Sequence, residues 1–339
     1  MIGVIGDLHF KDSLGYADYI KDRRLSEKKE TLDFIVESLK DCDHIVFMGD
    51  QLNGRNNSSE VIREFVAFLE RFGKKDLYLL RGNHETSANG KSALDFLKEL
   101  NKVNWHICTT KLSPWPLGEY VVDFLPYSTK AELGVKENSE ATSKIMRGLK
   151  GADILFHHHA MSDTQAGTIS TNIFDEPVLP RKKLAEKYGL VVGGHIHTPT
   201  HDDNVIVTGS IFCNEVGEMD KYIWKIGKKL KVEQIRLPGR AIFKFENPTI
   251  DYVKKAVLAN PHNIVKVIIT DKNIKINELK EELSKYDAYL IVEQYPRERT
   301  KVHIEGALDF NIENLLEIYA KEKEVDLEKL MKGLELVRT

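Results

Sequence analysis

Apolar residues in this chain come in short continuous runs, and most of the runs end on Gly, Asp, Asn or His. IGVIG, HIVFMGD, LYLLRGN, YVVDFLPY, ADILFHHH, LVVGGHIH and VIVTGS are runs of this kind, the pattern of strands buried on both faces. Between the early runs the apolar positions recur with helical period. Leu32, Ile35, Val36 and Leu39 do so within Thr31 to Lys40, and Ile62, Phe65, Val66 and Leu69 within Glu60 to Phe72. Strands alternating with helices predict an α/β fold, and such folds gather ligands at the loops that follow the strand C-termini.

The texture changes after Lys229. Pro238 and Gly239 mark an exit from the first domain. Beyond them the pattern predicts a strand (Ala241 to Phe245), a helix (Ile250 to Leu258), a strand (Ile264 to Thr270), a helix (Ile276 to Tyr286) and a strand (Ala288 to Tyr295). The last stretch repeats one helical spacing, Ile312, Leu315, Leu316, Tyr319 and then Leu327, Leu330, Met331, Leu334. The predicted organisation is therefore residues 1–237, a β-α-β-α-β domain over 238–307, and a helical segment over 308–339.

Composition adds exclusions. The chain has 339 residues with 49 Lys+Arg against 52 Asp+Glu, a formal charge of −3, which rules out a strongly basic nucleic-acid coat but not a local basic groove. Cys42, Cys108 and Cys213 stand far apart with no CxxC pair, against a disulfide framework or a thiolate zinc site and in keeping with a reducing cytoplasm. The N-terminal MIGVIG lacks a basic region before it and reads as a buried strand. No run approaches the ~18 apolar residues that span a membrane, so no membrane partner is expected.

The chemistry sits at five strand ends: Asp7 and His9 in GDLH, Asp50 in MGDQ, Asn83 and His84 in RGNHE, His157 to His159 in LFHHHA, and His195 and His197 in GGHIH. One fold brings such ends to one edge. Carboxylate, amide and imidazole donors suit hard to borderline divalent metals. So many donors, with one carboxylate free to bridge, exceed the needs of a single ion with open positions and match a pair about 3.5–4 Å apart, which acts on phosphoesters by in-line displacement.

These blocks resemble the signature of the calcineurin-like metallophosphoesterases: Asp-x-His, Gly-Asp, Gly-Asn-His-(Asp/Glu), a strand-end His and Gly-His-x-His, in order from residue 7 to residue 197. The resemblance implies a two-sheet α/β/β/α metallophosphoesterase sandwich, with a smaller α+β capping domain and C-terminal helices. It implies one metal on Asp7, His9, Asp50 and His197 and a second on Asp50, Asn83, His158 and His195. Asp50 would bridge, and the non-ligand His84 would assist the leaving oxygen. His157 and His159 remain open alternatives to His158, because the register slips by one at the strand end; the two spare histidines are expected to be polar loop residues lining the cleft.

Three further features resemble one branch, the nuclease subunit of SbcCD and Mre/Rad-type DNA repair complexes and its phage counterparts. They are FLPYST (Phe124 to Thr129), the segment VTGSIFCNEVGEMDKYIW, and the appended domain. This branch implies a Mn²⁺-dependent DNA nuclease, with Mg²⁺, Fe²⁺ or Zn²⁺ also suited to the donors. It would be an exonuclease on duplex ends and an endonuclease on single strands or hairpins, acting in repair, recombination or replication. The implied partners are DNA, an SMC-like ATPase docked on the C-terminal helices, and a second copy of the chain. A metallophosphoesterase acting on a phosphoprotein, cyclic nucleotide or other small phosphoester is the alternative.

The chain departs from the branch at particular positions. Asn53 stands where His or Asp is common and cannot transfer a proton at neutral pH, which bears on exonuclease strength and polarity. Glu85 replaces Asp, a carboxylate expected to orient His84 at longer reach. Ile211 replaces a Pro. Arg55, Lys11, Arg23, Arg24 and Arg81 near the metal blocks, and Lys254, Lys255, Lys266, Arg297, Arg299 and Lys301 beyond them, are candidate phosphate contacts among solvated charge.

Overall fold

In a computed structural model of the chain, the apolar runs form the centres of two six-stranded sheets. The structure describes residues 1–12, 14, 21–87, 89–166, 169–171, 175–213, 218, 220–246, 249–259, 264–269 and 289–294, with scattered positions from 277 to 285 and from 316 to 332. The strands are β1 (Ile2–Ile5), β2 (His44–Phe47), β3 (Asp76–Leu80), β4 (Trp105–Cys108), β5 (Leu112–Leu117), β6 (Tyr120–Leu125) and β7 (Ile154–His157). They continue with the short β8 (Gln165–Ala166) and β9 (Ile169–Ser170), then β10 (Leu190–Gly193), β11 (Thr200–Asp202), β12 (Val205–Val207), β13 (Tyr222–Ile226) and β14 (Val232–Arg236). The first sheet has the order β14-β13-β1-β2-β3-β4 and the second β11-β12-β10-β7-β6-β5. Each contains four consecutive parallel strands; in the first sheet β13 and β14 extend them with antiparallel pairings on one side and β4 is the other edge, and in the second the antiparallel β11 and β5 form the two edges.

Side-chain alternation divides the apolar runs between three cores. Ile2 and Val4, Val46 and Met48, Tyr78 and Leu80 meet Phe124, Ile154 and Phe156, Leu190 and Val192, and Ile206 between the sheets. The alternate positions Ile5, Ile45, Phe47, Leu77 and Leu79 pack on the helices outside the first sheet. On the far side of the second sheet, Leu155, Val191, Val205 and Val207 meet Ile145, Leu184 and Tyr188. The result is the expected sandwich of two sheets with flanking helices. The helix predicted over Thr31 to Lys40 starts earlier, as Lys21–Ser38. The second is Ser59–Glu70, where the Ser58 hydroxyl accepts from the Val61 amide and Val61, Phe65, Phe68 and Leu69 are buried.

After Pro238 the chain builds a separate all-parallel sheet, β15 (Ile242–Glu246), β16 (Ile264–Ile269) and β17 (Tyr289–Gln294), with the helix Ile250–Ala259 as the first crossover. Most of the helix predicted over Ile276 to Tyr286 lies outside the described residues. Residues 1–295 form one compact unit and 296–339 a second. Of the predicted terminal stripes, Leu316, Leu327, Leu330 and Met331 are helical and half-buried, and Ala320 is buried; Ile312, Leu315, Tyr319 and Leu334 lie outside the described residues.

Candidate metal centre

The C-terminal ends of β1, β2, β3, β7 and β10 open onto one edge of the sandwich, and there the loops are bound to one another through the backbone. The His9 amide donates to Asp50 O at 2.8 Å, the Phe10 amide to Gln51 O at 2.8 Å and the Asn53 amide to Phe10 O at 3.3 Å. His9, Asp50 and His195 all take left-handed backbone conformations, with φ of 44°, 48° and 75°. Such conformations are costly for residues with a Cβ and persist where the surroundings enforce them. Two glycines make room: a Cβ on Gly49 would lie 2.1 Å from His158 Nδ1, and one on Gly82 would lie 2.1 Å from Asp50 Oδ1. This is the physical content of Gly in the Gly-Asp and Gly-Asn-His blocks.

Into this edge point the donors that the spacing suggested. His9 Nε2 and His197 Nε2 are 2.9 Å apart, with His9 Nε2 3.9 Å from Asp50 Oδ2 and His197 Nε2 4.0 Å from Asp7 Oδ2. His158 Nε2 lies 3.3 Å from Asp50 Oδ2 and 3.0 Å from Asn83 Oδ1, and His195 Nδ1 lies 2.9 Å from the same amide oxygen. Three sets of donors fall within 4.8 Å of one another: Asp7, His9 and His197; Asp50, His158 and His195; His9, Asp50 and His84.

The outward hydrogen bonds give these rings their tautomers. His158 Nδ1–H donates to Met48 O at 2.6 Å, His195 Nε2–H to Glu176 Oε1 at 2.6 Å, and His197 Nδ1–H to Glu218 Oε1 at 3.1 Å. In each ring the other nitrogen then presents a lone pair to the centre. Lone pairs and two buried carboxylates aimed at one space repel unless cations occupy it, so the donor set fits a pair of divalent metals. The charges agree. Burial and the neighbouring Asp50 push the Asp7 carboxyl well above its usual range. Burial raises Asp50 too, but the imidazoles around it, His158 foremost, favour its charged form whenever they carry a proton, and its carboxyl lies low. His9 is lowered to about 3, chiefly by burial.

His84 stands at the mouth, its side chain 42% exposed. Its amide donates to Asp50 Oδ1 at 2.9 Å, its Nδ1–H to the Asn53 carbonyl at 2.9 Å, and its Nε2 is 3.9 Å from Asp50 Oδ2. Asn53 thus reaches the site through its backbone. Glu85 does not orient His84, contrary to expectation. Its fully buried carboxylate accepts the amides of Gly82 (2.7 Å), Leu52 (2.8 Å) and Asp50 (3.1 Å), so it braces the loop that carries Asp50. Burial and the Asp50 charge lift its carboxyl to about 8.

Of the three consecutive histidines, His158 is the one whose ring meets Asp50 and Asn83. His157 is the last residue of β7 and projects to the helix side, and the next residue turns to the face between the sheets. His157 and His159 are buried rather than lining the cleft, with His159 stacked on Tyr127 at 5.2 Å. Two candidate phosphate contacts are also internal. Arg24 is buried on Glu27 and Leu14 O, and Arg81 is buried on Gly90 O, Tyr127 O and Glu132. The Arg23 side chain, Arg297, Arg299 and Lys301 lie outside the described residues. Sequence reasoning passed over Glu176, Glu218 and Lys221. Lys221 donates to His197 O at 2.9 Å and sits 2.9 Å from Glu218 Oε2. The charge of Lys221 and the hydrogen bond from His197 overcome burial and hold Glu218 at about 2.

A family model described as Calcineurin-like phosphoesterase matches residues 1–199. The comparison with curated proteins gave no match. Among solved structures the chain is similar to a putative 5'-nucleotidase from Staphylococcus aureus in complex with alpha-ketoglutarate, with 13% identity and a TM-score of 0.39, over 70% of this chain and 52% of that one. The chain spans about half the length of that protein.

Proposed function

The chain belongs to the calcineurin-like phosphoesterase family, and from that premise we propose that it is the nuclease subunit of a DNA repair or recombination complex of the SbcCD or Mre/Rad kind, cleaving phosphodiesters with two divalent cations, Mn²⁺ foremost. The convergence of Asp7, His9, Asp50, Asn83, His158, His195 and His197 on one space carries the hydrolytic part of this reading. Asp7, His9, Asp50 and His197 would hold one cation, and Asp50, Asn83, His158 and His195 the other. Bound there, the cations supply an acidified water and charge neutralisation at phosphorus.

The remaining steps belong to the chain. Asp50 is fixed by the His84 amide on one oxygen and by the Glu85 brace beneath its loop. The His84 ring is anchored at Nδ1 by the Asn53 carbonyl, so Nε2 is the atom from which a proton passes to the leaving sugar oxygen. An exposed position at the mouth suits a substrate too large to be enclosed.

DNA as substrate is supported by the Leu-Pro-Tyr strand end, the 207–224 segment and the three-stranded domain after Pro238. Adding the +4 of two divalent cations to −3 brings the formal charge to about +1, concentrated where a phosphate would lie. Exposed Arg55 and Lys255, with half-buried Lys11, Lys254 and Lys266, remain candidates for phosphate contact. The helical segment after residue 308 would dock an SMC-like ATPase, and the active particle would contain two copies of the chain. Deleting residues 311–339 should abolish ATPase association while metal-dependent cleavage of bis(p-nitrophenyl) phosphate survives. Cleavage of that ester, or of a cyclic nucleotide, at rates far above any on end-labelled DNA would assign a small phosphoester instead.

A further inference from the structure

The Leu-Pro-Tyr strand end marked the branch, and Tyr127 packs on one of the metal donors. Its ring is stacked on His195, centroids 6.3 Å apart and 28° between planes, and on His159 at 5.2 Å and 25°. The main chain of Tyr127 is locked to Arg81 in both directions, its amide donating to Arg81 O at 2.9 Å and its carbonyl accepting from the guanidinium. Glu176 comes from the stretch before Pro177 and grips the same imidazole at its edge, 2.6 Å from Nε2. Its charge and hydrogen bond also reach the Tyr127 hydroxyl, which burial pushes up to about 12. The His195 amide is spent on the Asp7 carboxylate at 3.0 Å, and the His158 ring meets the imidazole edge-on at 5.3 Å.

We infer that Glu176 and Tyr127 form a positioning clamp on His195: the carboxylate fixes the tautomer and strengthens the Nδ1 lone pair, and the tyrosine ring fixes the plane in which that lone pair points. Neither residue is a ligand or a phosphate contact. The opposite imidazole, His197, is held differently, by Glu218 with Lys221 close to that carboxylate. The two cation positions therefore have separate second supports and should respond separately to their loss. Outer partners of this kind are worth about ten- to hundredfold in metal affinity. The inference rests on the two-cation reading but not on DNA as the substrate.

The test is Mn²⁺ binding without substrate, read from free Mn²⁺ by electron paramagnetic resonance, on the full chain and on Glu176→Ala, Glu176→Gln, Tyr127→Phe, His195→Ala and the double variant Glu176→Ala/His195→Ala. Glu176→Ala should weaken one of the two binding steps about ten- to hundredfold and leave the other within about threefold. Glu176→Gln, which keeps an acceptor oxygen, should lose less, and Tyr127→Phe only a few-fold. In the His195→Ala background Glu176→Ala should add nothing, because the clamp acts through that ring. Two wild-type binding steps in Glu176→Ala, or an equal further loss in the His195→Ala background, would overturn the clamp. Should Glu176→Ala not fold, Glu176→Gln alone decides: a selective weakening of one step supports the clamp and unchanged binding refutes it. Failure of the wild-type chain to bind two Mn²⁺ would instead refute the two-cation reading itself.

Discussion

The Nε2 atoms of His9 and His197 face one another at 2.9 Å across 188 residues of sequence. With its Nδ1–H committed to Glu218, the His197 ring has only a lone pair to offer at this contact. Two imidazoles brought together in this way, beside two buried carboxylates, form a set that a divalent cation relieves.

Thermal stability should therefore depend on metal. A chain stripped by chelator should melt at a lower temperature than the same chain in Mn²⁺. Cation at a hundred times its dissociation constant should add about 2.7 kcal/mol per site. A melting temperature indifferent to Mn²⁺ would remove the physical basis of the centre.

Glu85 should matter for stability as much as for turnover. Glu85→Ala would leave the amides of Gly82, Leu52 and Asp50 without their acceptor in a dry setting. At about 1–3 kcal/mol for each stranded donor, the loss should reach about 3 kcal/mol or more. Glu85→Gln retains one carbonyl oxygen and should lose less. Urea denaturation midpoints of the two variants measure the difference, and equal losses would mean that the brace is not what Glu85 provides.

Alkaline pH should expose the buried thiols. Burial lifts Cys108 from 9.0 to about 12. The folded value lies above the unfolded one, so the stabilisation is complete below pH 9 and is lost as pH rises from 9 toward 12. The stability of Cys108→Ala should fall less steeply than that of the parent over that window, as read by urea midpoints at successive pH values. Identical slopes would contradict it.

How far the sequence reveals the fold depends on burial. The strands that carry donors are buried on both faces and stand out as apolar runs. β5, β11 and β14 lie at sheet edges, carry polar or proline residues and are partly exposed, so they leave no run. The division into two sheets was equally illegible from runs alone, because Val4 and Ile5 are both buried yet belong to different cores; the family resemblance supplied it. The donors at the strand ends form short motifs, and the structure brings them together. Glu176 and Glu218 are single carboxylates with no motif around them, and only the folded contact shows what they hold. The choice among His157, His158 and His159 turned on where β7 ends, since one step along the strand exchanges the helix side for the face between the sheets.

The most direct measurement is Mn²⁺-dependent cleavage of end-labelled duplex and hairpin DNA by the parent chain, Asp50→Ala and His84→Ala, with bound Mn²⁺ counted in parallel. The parent should cut. His84→Ala should keep both cations and lose about 10²- to 10⁴-fold in rate, while Asp50→Ala, deprived of the bridging carboxylate, should lose metal and activity together. Cleavage at the parent rate by either variant would contradict the account.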